Sequence, residues 1–249
     1  MDHETMEKYR YFLKDSVRKS IDFSQTDQNL GYPMPPTSKS VPDGEELLTL
    51  PSPQAFTGKD VRLSDAIIQR QSHRKFLLKP ISLEELSYLL WCTQGIRQTV
   101  GEHRLRTVPS AGNRHALETY LAVRGVDGLD EGIYRYLPVQ HALTMISQPE
   151  KLPQQLTRAA LRQKFVSQSA VTFIWTTIPY RMEWRYGQAA HKVIAMDAGH
   201  VCQNLYLACE NIGCGTCAIA AYDQQAADQL LGIDGQDEFV IYMAPVGKV

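Results

Sequence analysis

Residues 189–212 read AAHKVIAMDAGHVCQNLYLACENI, and the spacing of their apolar side chains decides the fold class. Ile194, Ala198, Val201, Leu205, Ala208 and Ile212 recur at alternating steps of four and three, so they share one stripe of a helix. Val193, Met196 and Leu207 widen that surface, which predicts a central helix covered on several sides. Gly213 follows and stops it. On both sides of this helix the pattern changes to strand. Ala170 to Ile178 is a β-branched and aromatic run ending at Pro179, the signature of a buried strand. After the helix, Asp223 caps a shorter one through Leu231, and Phe239 to Val246 reads as a final buried strand.

Farther upstream the same mixture continues. Leu117 to Arg124 reads as a strand bounded by Gly125, and Ile133 to Leu137 as a short strand ahead of Pro138. Leu152 to Phe165 has the pattern of a helix. Ser82 and Glu85 form a capping box that opens a helix carrying Leu83, Leu86, Leu90 and Thr93, ended by Gly95. Ser64 is the expected N-cap of an earlier helix, with Leu63 stapled onto Ile67 or Ile68. Helices and strands mix without strict alternation, so the class is α+β. From Thr26 to Gly58, Pro33, Pro35, Pro36, Pro42, Pro51 and Pro53 forbid regular helix. Tyr32, Met34, Leu47, Leu48, Leu50 and Phe56 make this stretch too apolar for a disordered leader. The expected division is an extended N-terminal arm over residues 1–60 and one folded domain over residues 61–249.

Composition excludes several classes of function. Lys plus Arg (26) balances Asp plus Glu (27), so no nucleic-acid partner is expected. The apolar runs are far shorter than the roughly 20 residues of a membrane span. Met1 to Arg10 is charged and lacks the apolar core of a signal peptide, so a cytoplasmic location is expected. The five cysteines are an odd number in a large chain, which argues against a secreted disulfide scaffold. Cys209, Cys214 and Cys217 match part of an iron–sulfur spacing but lack a fourth cysteine downstream. Cys214 and Cys217 lack the preceding strand of a thioredoxin context, so buried packing is the better reading for the thiols. The histidines form no helical metal pair, and His200 reads as a satisfied core histidine. No metal site is expected. Neither a Rossmann fingerprint nor a Walker loop is present, so any phosphate must be held by side chains or helix ends.

Two short stretches offer such groups. Arg70-Gln71-Ser72-His73-Arg74-Lys75 closes the first helix of the body. Cations there complement a helix C-terminus, which is the bland reading. In extended backbone, however, Arg70, Ser72 and Arg74 project from one side, where two guanidinium forks and a hydroxyl can grip a phosphate or an electron-rich ring edge. Pro109-Ser110-Ala111-Gly112-Asn113 is a turn of small residues that can present Ser110 and Asn113 to the polar edge of a planar ligand.

Taken in order, Arg70, Ser72 and Arg74, then Pro109, Ser110 and Asn113, then Gly213, Gly215, Thr216 and Cys217, resemble the nitroreductase family of flavoproteins. The subgroup looks like the SagB-type dehydrogenases, which include azoline oxidases of peptide maturation. Leu83 to Trp91, Ala116 to Leu121, Asp197 to His200 with Gln203 to Leu205, and the closing Pro245 to Lys248 carry that likeness. The resemblance implies a mixed β-sheet wrapped by helices, in an intertwined homodimer with FMN at the interface. It implies ping-pong hydride transfer from NAD(P)H or an organic donor to a small electrophilic acceptor such as a nitro compound or quinone. Arg70 and Ser72 would hold the flavin phosphate, with Lys248 as a further cation, and Arg74 would sit at the pyrimidine edge. Pro109, Ser110 and Asn113 would reach the partner's flavin, while Ala218, Ala220 and Ala221 would pass by the ring. Azoline oxidases of the subgroup carry Lys-Tyr where this chain has Arg185-Tyr186, just before Gly187. Arginine does not give up its proton, so Arg185 and Tyr186 are catalytic candidates with a different division of labour. Oxidation of azoline rings, or flavin binding without turnover, are the alternatives.

Overall fold

Leu117–Val123 (β4) and Val171–Thr177 (β7) are buried at every position and pair antiparallel at the middle of a seven-stranded sheet. The computed structural model describes residues 2–41 and 44–249; Pro42, one of the arm prolines, lies outside them with Asp43. The other strands are β1 (Leu47–Thr49), β5 (Gly132–Leu137), β6 (Ala142–Ser147), β8 (Cys214–Thr216) and β9 (Phe239–Lys248). The order across the sheet is β1-β6-β5-β4-β7-β9-β8. A separate hairpin joins β2 (Ile96–Val100) to β3 (His103–Arg106).

Period-two alternation sends successive side chains of each central strand to opposite faces, and both faces are covered. Leu121, Phe173 and Trp175 belong to the core shared with α3 (Leu83–Gln94) and α6 (Ala190–Ile212). Tyr120, Ala122 and Ile174 belong to the smaller core under α4 (Leu152–Ala159) and α7 (Gln224–Leu231). All six residues of the predicted stripe of α6 are buried, and Gly213 ends the helix in the left-handed conformation at φ 62°. Ser82 and Glu85 form the capping box of α3, Gly95 caps its end, and the Asp223 side chain accepts from Ala226 N–H at the start of α7.

The arm is strapped to this body by buried arginines. Arg114, Arg106 and Arg135 donate to the carbonyls of Pro35, Thr37 and Ser40 at 2.7, 2.6 and 2.8 Å. Farther along, β1 pairs with β6. Two further helices, α1 (His3–Tyr11) and α5 (Tyr180–Tyr186), escape the apolar pattern altogether.

Several expectations need correction. The sheet is antiparallel rather than mixed: every ladder joining its strands is antiparallel, and parallel pairing is confined to single bridges such as Ser72 with Thr216. Short turns join β4, β5 and β6, and such turns reverse direction. The helix expected through Phe165 stops at Ala159, because Leu161 and Arg162 adopt positive φ and turn the chain back. The first helix, α2 (Leu63–Gln69), is capped at Arg62 and not at Ser64. Leu63 therefore falls inside the helix, and it stays exposed with Ile67 and Ile68 instead of stapling. Met196 on α6 is 54% exposed, so that helix keeps one open face.

Candidate active site

Arg70 caps the end of α2, and the chain leaves it extended. Ser72 bridges in parallel to Thr216, His73 N–H donates to the Thr216 carbonyl at 2.9 Å, and Leu77 N–H donates to that of Lys248 at 2.8 Å. The segment from Arg70 to Leu77 is thus laid along β8 and the end of β9. Two glycines permit the approach: a Cβ on Gly215 would fall 2.5 Å from the His73 ring, and one on Gly247 would fall 3.0 Å from that of Phe76. The alternation that put Arg70, Ser72 and Arg74 on one side requires this extended backbone.

Tyr206, on α6, gathers what the segment presents. Its hydroxyl lies 2.9 Å from Ser72 Oγ and accepts from Ala218 N–H at 2.8 Å. The Arg70 guanidinium stands 5.2 Å over its ring. Neither Arg70 nor Arg74 meets a carboxylate among the described residues. Two uncommitted guanidiniums, a hydroxyl and a close-approach glycine suit the phosphate and polar edge of a nucleotide-sized anion.

A second group forms around the turn of Pro109 to Asn113. Ser110 Oγ accepts from His115 N–H at 2.9 Å, and the Asn113 side-chain oxygen lies 2.7 Å from His115 Nε2. Gly112 has φ 58°, and a Cβ there would fall 2.6 Å from Tyr186 Oη and 2.9 Å from Arg185 Cδ. The turn and the end of α5 therefore touch, which brings Ser110, Asn113, Arg185 and Tyr186 together. Asp197 of α6 lies beneath; burial raises its carboxyl pKa, partly offset by bonds from Ser110 and Ala111 N–H. Behind the turn, Arg114 is buried, donates to the Arg181 carbonyl at 2.9 Å and stacks over Trp184 at 5.0 Å. Arg181 forms a buried ion pair with Glu118 at 2.6 Å. Burial, then Arg106, Arg114 and Arg181, push the His115 imidazole down to about 3, so it is neutral at physiological pH.

The two groups lean on α6 nine residues apart, at Asp197 and Tyr206. That spacing is about 13 Å along a helix. Within one chain the structure joins Arg70, Ser72 and Ala218, and separately Ser110, Asn113, Arg185 and Tyr186.

The sequence pattern of the nitroreductase family matches residues 67–248. The chain belongs to the nitroreductase family. A Methanocaldococcus jannaschii protein described as a nitroreductase is 33% identical over 190 residues, covering 76% of this chain and 92% of that protein. The trifolitoxin-processing protein TfxB of Rhizobium leguminosarum bv. trifolii is 26% identical over 90% of this chain, which spans 62% of its length. The crystal structure of a Ralstonia eutropha protein described as a nitroreductase superposes with TM-score 0.69 at 25% identity, covering 87% of this chain and 98% of that one. The Escherichia coli microcin synthetase McbBCD shares the fold at TM-score 0.61 and 18% identity, over 85% of this chain and 84% of that one. This nitroreductase-family chain is an oxidoreductase.

The other expected site residues are tied to other partners or exposed. The Lys248 ammonium donates to Glu85 and, at 3.0 Å, to the Ile212 carbonyl at the end of α6, so it serves that helix end rather than the Tyr206 group. Ala220 and Ala221 are exposed beyond Ile219, which pairs with Met243. His200 is not a core histidine: its side chain is 49% exposed and stands 4.0 Å from Asp197. It falls on the solvent side of α6, a face the stripe opposite it already implied. Cys202, Cys209, Cys214 and Cys217 are buried, and burial pushes the Cys202 thiol up to about 12. Among the described residues no cluster of three His, Cys, Asp or Glu is placed to hold a metal, and no helix is long and apolar enough to cross a membrane. Sequence reasoning missed Tyr206 and Arg114, and it quoted Asp197 only as part of the family likeness, without a role. Tyr206 flanks the apolar stripe of α6 with no motif of its own. Arg114 had one available signal, its position directly after the Asn113 turn.

Proposed function

We propose that this nitroreductase-family enzyme is FMN-dependent and works as a homodimer. In this reading it carries hydride from NAD(P)H or an organic donor to a small electrophilic acceptor. The observation that carries it is the convergence of Arg70, Ser72 and Ala218 on Tyr206, with no carboxylate on Arg70 or Arg74 among the described residues. When bound, the flavin supplies hydride acceptance and donation, and the protein supplies binding and orientation. Arg70 and Ser72 hold the phosphate, and Arg74 places positive charge at the polar ring edge. The backbone from Ala218 to Ala221 passes beside the ring, oriented through the Tyr206 hydroxyl. The separation of the two groups along α6 supports the dimer: Pro109, Ser110 and Asn113 of one copy complete the site of the other. The arm of residues 1–60 is then an extension clasped onto the flavin domain of residues 61–249. Tyr186 is the candidate proton donor to the acceptor.

The likeness to a trifolitoxin-processing protein favours azoline oxidation as a second reading. Arg185 weighs against it, because a guanidinium stays protonated at neutral pH and cannot act as a base. The test is to purify the protein, identify the flavin released on denaturation, and titrate anaerobically with NADH and NADPH. Release of FMN and bleaching of its absorbance are expected. A colourless protein that cannot be reconstituted with FMN sinks the proposal, and efficient oxidation of a thiazoline peptide replaces it with the second reading.

A further inference from the structure

Three buried arginines stand behind the Gly112 turn, Arg106, Arg114 and Arg181, and among the described residues one carboxylate, Glu118, pairs with them. Arg114 is buried and donates to two backbone carbonyls, those of Arg181 and Pro35. Buried Arg106 donates to the Gln94 side chain and the Thr37 carbonyl. Neutral acceptors satisfy the N–H groups but do not offset the charge. Among the described residues Arg181 alone of the three meets a carboxylate, Glu118, whose charge also offsets part of that of Arg106.

In front of this cluster stands Arg185. It is exposed and has no carboxylate partner among the described residues. Its side chain lies against Gly112, and its guanidinium is 5.6 Å from the centre of the Tyr186 ring. The neighbouring carboxylates are engaged elsewhere: Glu183 lies 2.7 Å from His191 Nε2, and Asp197 is buried under Ser110. A cation in the last turn of α5 also complements that helix end. That role alone does not call for a side chain folded onto the turn of Ser110 and Asn113.

We infer that Arg185 is a specificity-determining residue that binds the carboxylate of an anionic acceptor beside Tyr186. A guanidinium presents a planar fork that matches a carboxylate through two parallel hydrogen bonds, which an ammonium does not. The positive charge of Arg114 and Arg106 behind it raises the local preference for an anion. This rests on the reading of Tyr186 as facing the acceptor, and it turns the arginine that argues against a base into a docking group.

Benzoate is the probe, measured by calorimetry on the FMN-loaded protein beside its neutral analogue benzyl alcohol. Benzoate is expected to bind more tightly than the alcohol. Arg185→Gln is expected to weaken benzoate roughly ten- to a hundredfold, the usual size for a hydrogen bond to a charged group, and Arg185→Lys to weaken it less. Added salt reduces the preference for benzoate more in the wild type than in Arg185→Gln. Equal benzoate affinity in wild type and Arg185→Gln overturns the inference, as does benzoate binding no tighter than the alcohol. Because Arg185 is exposed, Arg185→Gln is expected to melt as the wild type does. Turnover of 4-nitrobenzyl alcohol, assayed in parallel, reads the proposed function separately. Reduction of that alcohol without benzoate binding sinks only the role of Arg185, and benzoate binding without reduction of any acceptor sinks only the proposed activity.

Discussion

Tyr206→Phe isolates what one hydroxyl does for the whole Arg70 group. The substitution keeps the ring under the Arg70 guanidinium, 5.2 Å away, and deletes the bonds to Ser72 at 2.9 Å and Ala218 at 2.8 Å. A neutral hydrogen bond contributes about 0.5–1.5 kcal/mol net, so the pair is worth roughly 1–3 kcal/mol. Ser72 is exposed and Ala218 half-buried, so water can replace part of what is lost, and the lower end applies. At about 1.4 kcal/mol per factor of ten, FMN affinity is expected to fall roughly five- to twentyfold. Tyr206→Ala also loses the cation–π contact, worth about 0.5–1 kcal/mol at an exposed site, and is expected to fall about two- to fivefold further. The assay is titration of apoprotein with FMN, followed by flavin fluorescence, with thermal melting of each apoprotein as the folding control. A Tyr206→Phe protein that binds FMN within about twofold of wild type refutes the claim that this hydroxyl orients the site.

Four other outcomes test the remaining links. Arg70→Ala is expected to weaken FMN roughly ten- to a hundredfold, the range for a charge-assisted bond, while Lys75→Ala changes it little; equal loss in both counts against the phosphate assignment. Light scattering should give a dimer, and a monomer that binds FMN fully contradicts the shared site. Tyr186→Phe should slow acceptor reduction by about 10²- to 10⁴-fold with flavin affinity unchanged, as expected of a general acid; stopped-flow oxidation of the reduced enzyme measures it. His115 titrates near 3 in the folded protein against an ordinary 6.5, so across that window the unfolded chain binds a proton that the folded chain does not. Stability from this group is therefore full above about 6.5 and declines as pH falls, by up to about 1.4 kcal/mol per pH unit. Urea melts of wild type and His115→Gln between pH 5 and 7 should show a shallower acid decline in the variant, and parallel curves would remove His115 from the account.

Local chemistry was legible wherever one residue acts on its own backbone. Ser82 with Glu85, Asp223, Gly95 and Gly213 each mark a helix end that the structure reproduces. The stripe of α6 was legible because burial on one face of a helix leaves a period in the chain. The ends that failed lack such punctuation. Leu161 and Arg162 turn left-handed with no glycine to announce it, because packing of Ala159, Ala160 and Val166 in the smaller core decides where the helix stops. The parts of the candidate site divide in the same way. Arg70, Ser72 and Arg74 were found by alternation, whereas Tyr206 was not, since its importance lies in contacts with residues 134 and 12 positions away.

By itself the sequence determined the α+β class, the order of most elements, the long apolar helix and the family likeness. These follow from periodicity, caps and motif order, all of which are written along the chain. Only the tertiary structure decided that the sheet is antiparallel, that Lys248 is tied to Glu85 and that Arg185 faces Gly112. It also decided that the two groups of site residues stand about two and a half helical turns apart on α6. Strand direction, ion-pair choice and the meeting of distant side chains depend on how surfaces pack. Many pairings satisfy the same hydrophobic pattern, and the chain selects among them only when all of them compete for one core.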